Sequence, residues 1–376
     1  MFNKEKFRIM NILIIGEFSA FAKHLKNGLV QLGHKVTIVH TGDGWLDLGD
    51  NDDIIFKKKS LSFGGYHIKG STLFSVVIEN LRVDRLLQKH IRGIDLIIVV
   101  NFGFIRKNLL HFGVKYKILK KWVRNGAPLL MMECGNSPAV MYYMPDFYKR
   151  QNISVNLNDS RYVYLLDHCS VIIPTAYDYY AGLVKYSNYY QFDKEKIHHA
   201  IPLPMTLDKK CTITSCINRK IIIFHGISRP LSKGTPFIKE AMDRIQLEMP
   251  EKVECIAKGG IPYNEYTQLL DSTDIIIDQT YVNGWGVNAE IGALLGKCVL
   301  TSCGPENKEN MKLPYTPFIQ IGPDSEQIYL TLRELVLHPE RVDKIKIESR
   351  LFIEKYCDSK IVAQQYLEAV GLLAQN

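Results

Sequence analysis

From Met10 onward, short unbroken apolar runs alternate with longer stretches in which apolar residues return every three or four positions. The runs Asn11 to Gly16, Lys35 to Val39, Asp95 to Val100, Pro128 to Met132 and Ser170 to Pro174 are too short for helices and read as buried strands. Ala22 to Leu32 has helical spacing and is followed by Gly33, the residue type best suited to a left-handed helix cap. Strands alternating with helices predict a parallel sheet covered on both faces. The pattern breaks at Ile201-Pro202-Leu203-Pro204 and stays polar to Arg219, which predicts a linker. It then restarts with strands at Lys220 to His225, Val253 to Ala257, Asp274 to Asp278 and Gly296 to Thr301, and helices at Pro236 to Leu247 and Tyr263 to Asp271. Two doubly wound α/β halves follow from this restart, facing each other across a cleft with ligands at the carboxyl ends of the strands. The first domain is placed at residues 1–204, the second at 205–355, and a terminal helix within 356–376. Ile361, Val362, Tyr366, Leu367 and Val370 give that helix an apolar face, which predicts that it packs back on the first domain.

Composition supports this reading and removes others. The chain has 376 residues, 46% hydrophobic and 23% charged, a globular balance of a length suited to two domains. Its longest apolar runs, such as Leu96 to Val100, fall far short of the roughly 18 residues of a membrane span. The stretch behind the basic Met1 to Met10 is too short for a signal sequence, so a cytoplasmic protein is expected. Eight scattered cysteines without a CxxC pair predict reduced, mostly buried thiols rather than a disulfide framework or a zinc site. The net charge is +8, and residues 1–200 hold all of the excess. Its densest stretch, Arg106 to Arg124, interleaves seven cations with Leu109, Leu110, Val114, Ile118, Leu119 and Trp122. A basic amphipathic segment of this kind fits either an anionic membrane surface or a solvated helix flank. Nucleic acid is disfavoured because no reading motif accompanies the charge.

Three loops carry candidate chemistry. Gly16-Glu17-Phe18-Ser19 occupies the phosphate-turn position of a dinucleotide fold, but its single glycine argues against a nicotinamide or flavin cofactor. Glu17 or Ser19 there is suited to an acceptor contact, and Ser19 equally to an N-cap. His225 to Thr235 sets two cations, Arg229 and Lys233, at a strand-to-helix turn, where they suit a diphosphate leaving group or form an ordinary surface pair. Asp278 to Glu290 delivers a strand to Gly284-Trp285-Gly286 and then to a helix. Helix-start amides beside glycine-exposed backbone suit an anion, and Glu290 suits either sugar hydroxyls or the helix dipole. Glu133, at the end of Pro128 to Met132, is a candidate for orienting an acceptor or a structural carboxyl group. His198 and His199 lack a third ligand, and Asp50-Asn51-Asp52 lacks a strand context, so no metal is expected.

These segments resemble the GT-B glycosyltransferases, and in particular the bacterial family 4 retaining enzymes. The resemblance rests on a basic residue before Lys233-Gly234-Thr235, on Asp278-Gln279, on the glycine-aromatic-glycine loop, on the Glu-bearing helix and on Gly296-Lys297-Cys298-Val299. It implies the GT-B fold, with two Rossmann-like domains, a nucleotide-sugar donor on the second, a saccharide or lipid-linked acceptor on the first, and no metal or other cofactor. It further implies donor contacts from Gly226, Ser228, Arg229, Lys233, Gln279, Asn283, Gly284, Trp285, Gly286, Val287, Asn288 and Glu290, with Ile261 and Pro262 at the nucleobase. Gly16, Glu17 and Ser19 fall on the acceptor side, and Glu133, Arg229, Lys233 and Glu290 in the catalytic set. The family pattern has two glutamates separated by seven residues. Here Asn283 stands at the first place, Glu290 comes one residue early, and Ile291 fills the second place. The expected activity is transfer of a sugar, UDP-linked by preference, with retention, at the inner face of a cytoplasmic membrane. The irregular glutamate spacing keeps open an inactive saccharide-binding or partner protein, and a sugar-nucleotide isomerase is the third alternative.

Overall fold

The computed structural model describes residues 8–42, 52–57, 62–63, 66–67, 71–90, 93–207 and 211–372. The first six-stranded sheet contains β1 (Asn11–Ile15), β2 (Lys35–His40), β3 (Ile54–Ile55), β4 (Leu96–Val99), β5 (Leu129–Glu133) and β6 (Val171–Pro174). Its spatial order is β6-β5-β4-β1-β2-β3, parallel throughout, the doubly wound order whose switch point lies between β1 and β4. The strands are apolar on both sides because both faces are covered. Ile15, Val99 and Met131 pack into one cluster and Ile14, Ile98 and Met132 into the other.

The second sheet contains β7 (Ile221–Ile227), β8 (Val253–Gly259), β9 (Ile275–Ile277), β10 (Cys298–Thr301) and β11 (Ile319–Gln320). Its order is β8-β7-β9-β10-β11, again parallel. The polar stretch before β7 is packed rather than loose. Arg219 grips Asp274 with two N–H groups at 2.7 and 2.6 Å, and Lys346 reaches the same carboxylate at 2.8 Å. These cations hold the Asp274 carboxyl at about 2 against the opposing pull of burial.

The chain passes between the lobes twice. Residues 201–207 run outward, and Ile353–Cys357, a turn of π-helix, leads back to the helix Ser359–Ala369. The two crossings are stitched together: Met205 N donates to Cys357 O at 2.7 Å and Ser359 N to Met205 O at 2.9 Å. The Asp358 side chain caps the returning helix through Lys360 N. That helix lies on Phe21–Gln31 and completes the first lobe's core with Val362, Ala363, Tyr366 and Leu367. Gly28 permits the approach, because a Cβ there would overlap the Ser359 carbonyl.

Two expectations are corrected. Arg106 to Arg124 is not one amphipathic segment. Arg106 turns inward to Asp84 at 2.6 Å, and only Tyr116–Arg124 is a continuous helix. Ser19 does not cap the first helix. It adopts a left-handed φ of 50°, and both Glu17 carboxylate oxygens take the amides of Ala22 and Lys23 at 3.1 and 3.0 Å.

Candidate active site

At the carboxyl ends of β7 and β9 the chain forms two loops that hold each other. Lys233 is buried, and its Nζ donates to Asp278 Oδ1 at 2.7 Å. Asp278 Oδ2 accepts the Gly286 amide at 3.3 Å, so one carboxylate joins the cationic turn to the glycine-aromatic-glycine loop. Gly234 has a φ of 72°, and a Cβ there would overlap the Thr280 hydroxyl, which sets the turn tightly against the loop that follows β9. His225 lies beneath, with Nδ1 against Ile277 O at 2.8 Å and Nε2 against Thr235 Oγ1 at 2.9 Å. Burial, aided by the nearby Lys233 charge, lowers it to about 4, so it is a neutral strut at ordinary pH.

The two cations therefore differ. Lys233 is already compensated by Asp278, although two of its three N–H groups remain to donate. Arg229 is exposed and has no ion pair among the described residues. Gly226 and Ser228 lie on the same strand-to-helix path, Gly226 half-buried against Tyr266 and Phe224 and Ser228 exposed. Helix Val287–Leu294 begins at Gly286 with no side-chain cap, which leaves its first amides for a ligand. Asn288 accepts from the Tyr266 hydroxyl at 3.2 Å. Gln279 donates to Gly284 O at 2.6 Å and so shapes the loop from within. Pro262 is exposed as the N-cap of helix Tyr263–Ser272, and Ile261 beside it is half-buried.

Several expected site residues are placed elsewhere. Glu290 is wholly buried. Its Oε1 accepts Trp285 Nε1 at 2.8 Å and the Leu203 amide at 3.2 Å, which turns it toward the interlobe crossing. Ile291 packs in the apolar group of Phe224, Leu270, Ile276 and Leu295. The Asn283 side chain accepts from Gly304 N and Asn307 Nδ2, both at 2.7 Å, and donates to Glu306 at 3.0 Å. Trp285 is buried against Phe318 and Phe352. Glu133 is sealed inside the first lobe, bonded to Ser137 and to the Tyr162 hydroxyl at 3.1 Å, and burial pushes it up to about 8. Gly16 lies against Phe104, Glu17 is spent on the helix cap, and Ser19 remains exposed. Asp50 and Asn51 lie outside the described residues. Among the described residues no three His, Cys, Asp or Glu side chains gather as a metal-binding set.

The structure adds residues that no motif marked. Asp178 accepts the Asn283 amide at 2.7 Å, and Asn307 Oδ1 accepts the Tyr177 amide at 2.9 Å, so the start of helix Tyr177–Tyr186 is bonded to the second lobe. Helix Pro145–Arg150 and the residue after it reach across too, with Gln151 bonded to Ser232, Phe147 against Tyr281 and Arg150 over the Tyr281 ring. Tyr148 on this helix is buried with Val140 and Met141, and its phenol is raised to about 12, first by burial and then by Glu133, while Arg229 opposes. Only the folded arrangement brings first-lobe tyrosines to the rim of the second-lobe loops, so spacing within either segment carried no signal.

A separate groove of about 790 Å³ runs along Tyr116–Arg124, lined by Lys115, Lys117, Lys121, Ile118 and Trp122. These three lysines form no ion pair among the described residues. Among those residues no helix is long and apolar enough to cross a membrane.

No family model matches the sequence, and no curated protein is similar to it. Solved structures do share the fold. HepE of Anabaena in complex with UDP-glucose superposes with a TM-score of 0.61 at 13% identity, over 97% of this chain and 100% of that one. Sucrose-phosphate synthase of Thermosynechococcus elongatus gives 0.59 at 14% identity, over 96% and 98%. The Rickettsia africae glycosyltransferase gives 0.56 at 14% identity, over 98% and 100%. The chain thus has the GT-B fold in both lobes, with the terminal helix crossing back.

Proposed function

We propose that the protein transfers a sugar from a nucleoside-diphosphate donor, by preference UDP-linked, to a hydroxyl of a saccharide or lipid-linked saccharide. The observation that carries this reading is the loop pair at the ends of β7 and β9. Arg229, which forms no ion pair among the described residues, the remaining N–H groups of Lys233 and the start of Val287–Leu294, which has no side-chain cap, belong to elements locked together by Asp278. Breaking a glycosyl bond to a diphosphate leaves charge on the departing oxygens, and preorganised donors in a water-poor cleft stabilise it. HepE, which shares the fold, is a UDP-glucose complex. Among the described residues, the carboxyl groups of Glu133 and Glu290 are both buried and hydrogen-bonded within the protein, so neither is presented as an obvious base. This favours the retaining course that the resemblance implies, in which the departing phosphate assists the incoming hydroxyl.

The first lobe then holds the acceptor, with residues 1–204 and 205–355 as acceptor and donor domains. The lysine-lined groove on Tyr116–Arg124 supports a peripheral position on an anionic cytoplasmic membrane surface. A second reading, an inactive sugar-nucleotide-binding partner, draws support from Ile291 and from the tied-up Asn283 side chain.

Thermal melting with a panel of nucleotides and nucleotide sugars, followed by assay of UDP release, tests the proposal. Stabilisation by UDP-sugars together with turnover supports transfer. Binding without turnover on any acceptor supports the partner reading, and no shift with any nucleotide removes both.

A further inference from the structure

We infer that Glu290 is a positioning residue that ties the glycine-aromatic-glycine loop to the interlobe crossing and so couples ligand binding at that loop to closure of the lobes. The inference rests on the reading of that loop as the donor site. Glu290 belongs to the first turn of Val287–Leu294, yet its Oε1 serves two other elements. It accepts Trp285 Nε1 at 2.8 Å from the loop and the Leu203 amide at 3.2 Å from the outward crossing. Two residues beyond Leu203, Met205 is stitched to the returning crossing at Cys357 and Ser359. On the other side of Trp285, Gly286 N bonds Asp278, which holds Lys233. A continuous path thus runs from Lys233 through Asp278, the loop and Glu290 to both interlobe crossings.

Packing alone does not call for a carboxyl group here. The neighbouring cluster is apolar, with Ala289, Ala293, Met205, Ile353 and Phe352, and burial of a carboxyl group in such a place is unfavourable unless its hydrogen bonds are needed. Glu290 Oε2 has no partner among the described residues, so the bonding capacity in use there is the acceptance of two N–H groups from two separate elements. The groups facing it are the Trp285 indole on the loop, the Leu203 amide on the outward crossing and the Cys357 thiol on the returning one, which is raised first by burial and then by Glu290. Burial pushes Glu290 to about 8, so it is the neutral acid at pH 7. A turn of π-helix, a feature common at functional bends, ends at the stitched Cys357.

Glu290→Gln keeps the acceptor oxygen and cannot ionise, whereas Glu290→Leu fills the space and accepts nothing. The full-length chain and both variants are compared by melting, by UDP titration, by small-angle scattering with and without UDP, and by donor turnover against pH. E290Q is expected to bind UDP as the parent does, to contract on UDP, and to lose a fall in kcat that the parent shows above about pH 8. E290L is expected to stay folded and bind UDP within about threefold, but to show no contraction and at least a tenfold loss of kcat at unchanged donor KM. Parent-like contraction and kcat in E290L overturn the inference, as does loss of UDP binding in E290Q, which makes Glu290 a ligand contact. If the parent itself binds no nucleotide, the proposed function fails. The coupling is then judged on ligand-free scattering, where a larger radius of gyration for E290L supports it and an unchanged one overturns it.

Discussion

Arg229 stands exposed at the end of β7 without an ion pair among the described residues, whereas Lys233, four positions on, is sealed against Asp278. Their substitutions therefore separate affinity from stability. Arg229→Ala removes a solvated side chain, so stability is expected to change by less than about 0.5 kcal/mol. UDP affinity is expected to fall roughly tenfold or more, the worth of one or two charge-assisted hydrogen bonds. Calorimetric titration beside a denaturant melt checks this, and unchanged UDP affinity places the diphosphate elsewhere. Lys233→Met strands the Asp278 carboxylate in a buried site, at a cost of about 3–5 kcal/mol. Adding Asp278→Asn is expected to recover most of that stability without recovering UDP affinity. Denaturant midpoints of the two variants read the first half and titration the second; recovery of both by the double variant makes Lys233 purely structural.

At the scale of elements, the strand and helix alternation was readable because the central β-strands are buried on both faces, which leaves runs such as Leu96–Val99 without polar interruption. The terminal helix was readable from its apolar face. Less legible were the places where a tertiary partner decides a residue's role. Arg106 looks like one more cation in a basic run until Asp84 draws it inward. Glu290 looks like a ligand-facing carboxylate until the interlobe crossing supplies an amide from far along the chain. Short helices such as Pro145–Arg150 carry too few turns to show a period, so the contacts they make with the second lobe had no signature. Gly28 is a further case, since within the helix Phe21–Gln31 it reads as a mild defect, yet it is where that helix meets Ser359. Gly28→Ala, which stabilises an isolated helix, is expected here to destabilise the protein by about 1–3 kcal/mol through overpacking. Limited proteolysis is expected to release the terminal helix before the rest of the chain. A stability gain, with the terminal helix as resistant as before, shows that the two helices can separate freely.

Across the whole molecule, the lobes are joined by the paired crossings and by a polar latch in which the Asp178 and Asn307 side chains each accept a backbone amide of the opposite lobe. Such a latch matters for any reaction that needs the cleft to admit a donor and then exclude water. Burial raises the Asp178 carboxyl to about 6 from an ordinary value of 3.8, opposed by the Asn283 amide and reinforced by Glu306. Between those two values the native state retains a proton that the unfolded chain has released, so stability falls as pH rises through this window and the loss is complete above about pH 6. Asp178→Asn keeps an acceptor for the Asn283 amide and removes the titration. Relative to the parent, its stability is expected to rise from pH 4 to pH 6 and then level off, with a plateau of at most about 3 kcal/mol given by a shift of roughly two units. Denaturant melts of both proteins at intervals from pH 4 to pH 8 supply the comparison. Parallel curves across that range mean that Asp178 titrates as a solvated carboxylate, which is incompatible with a closed latch between the lobes.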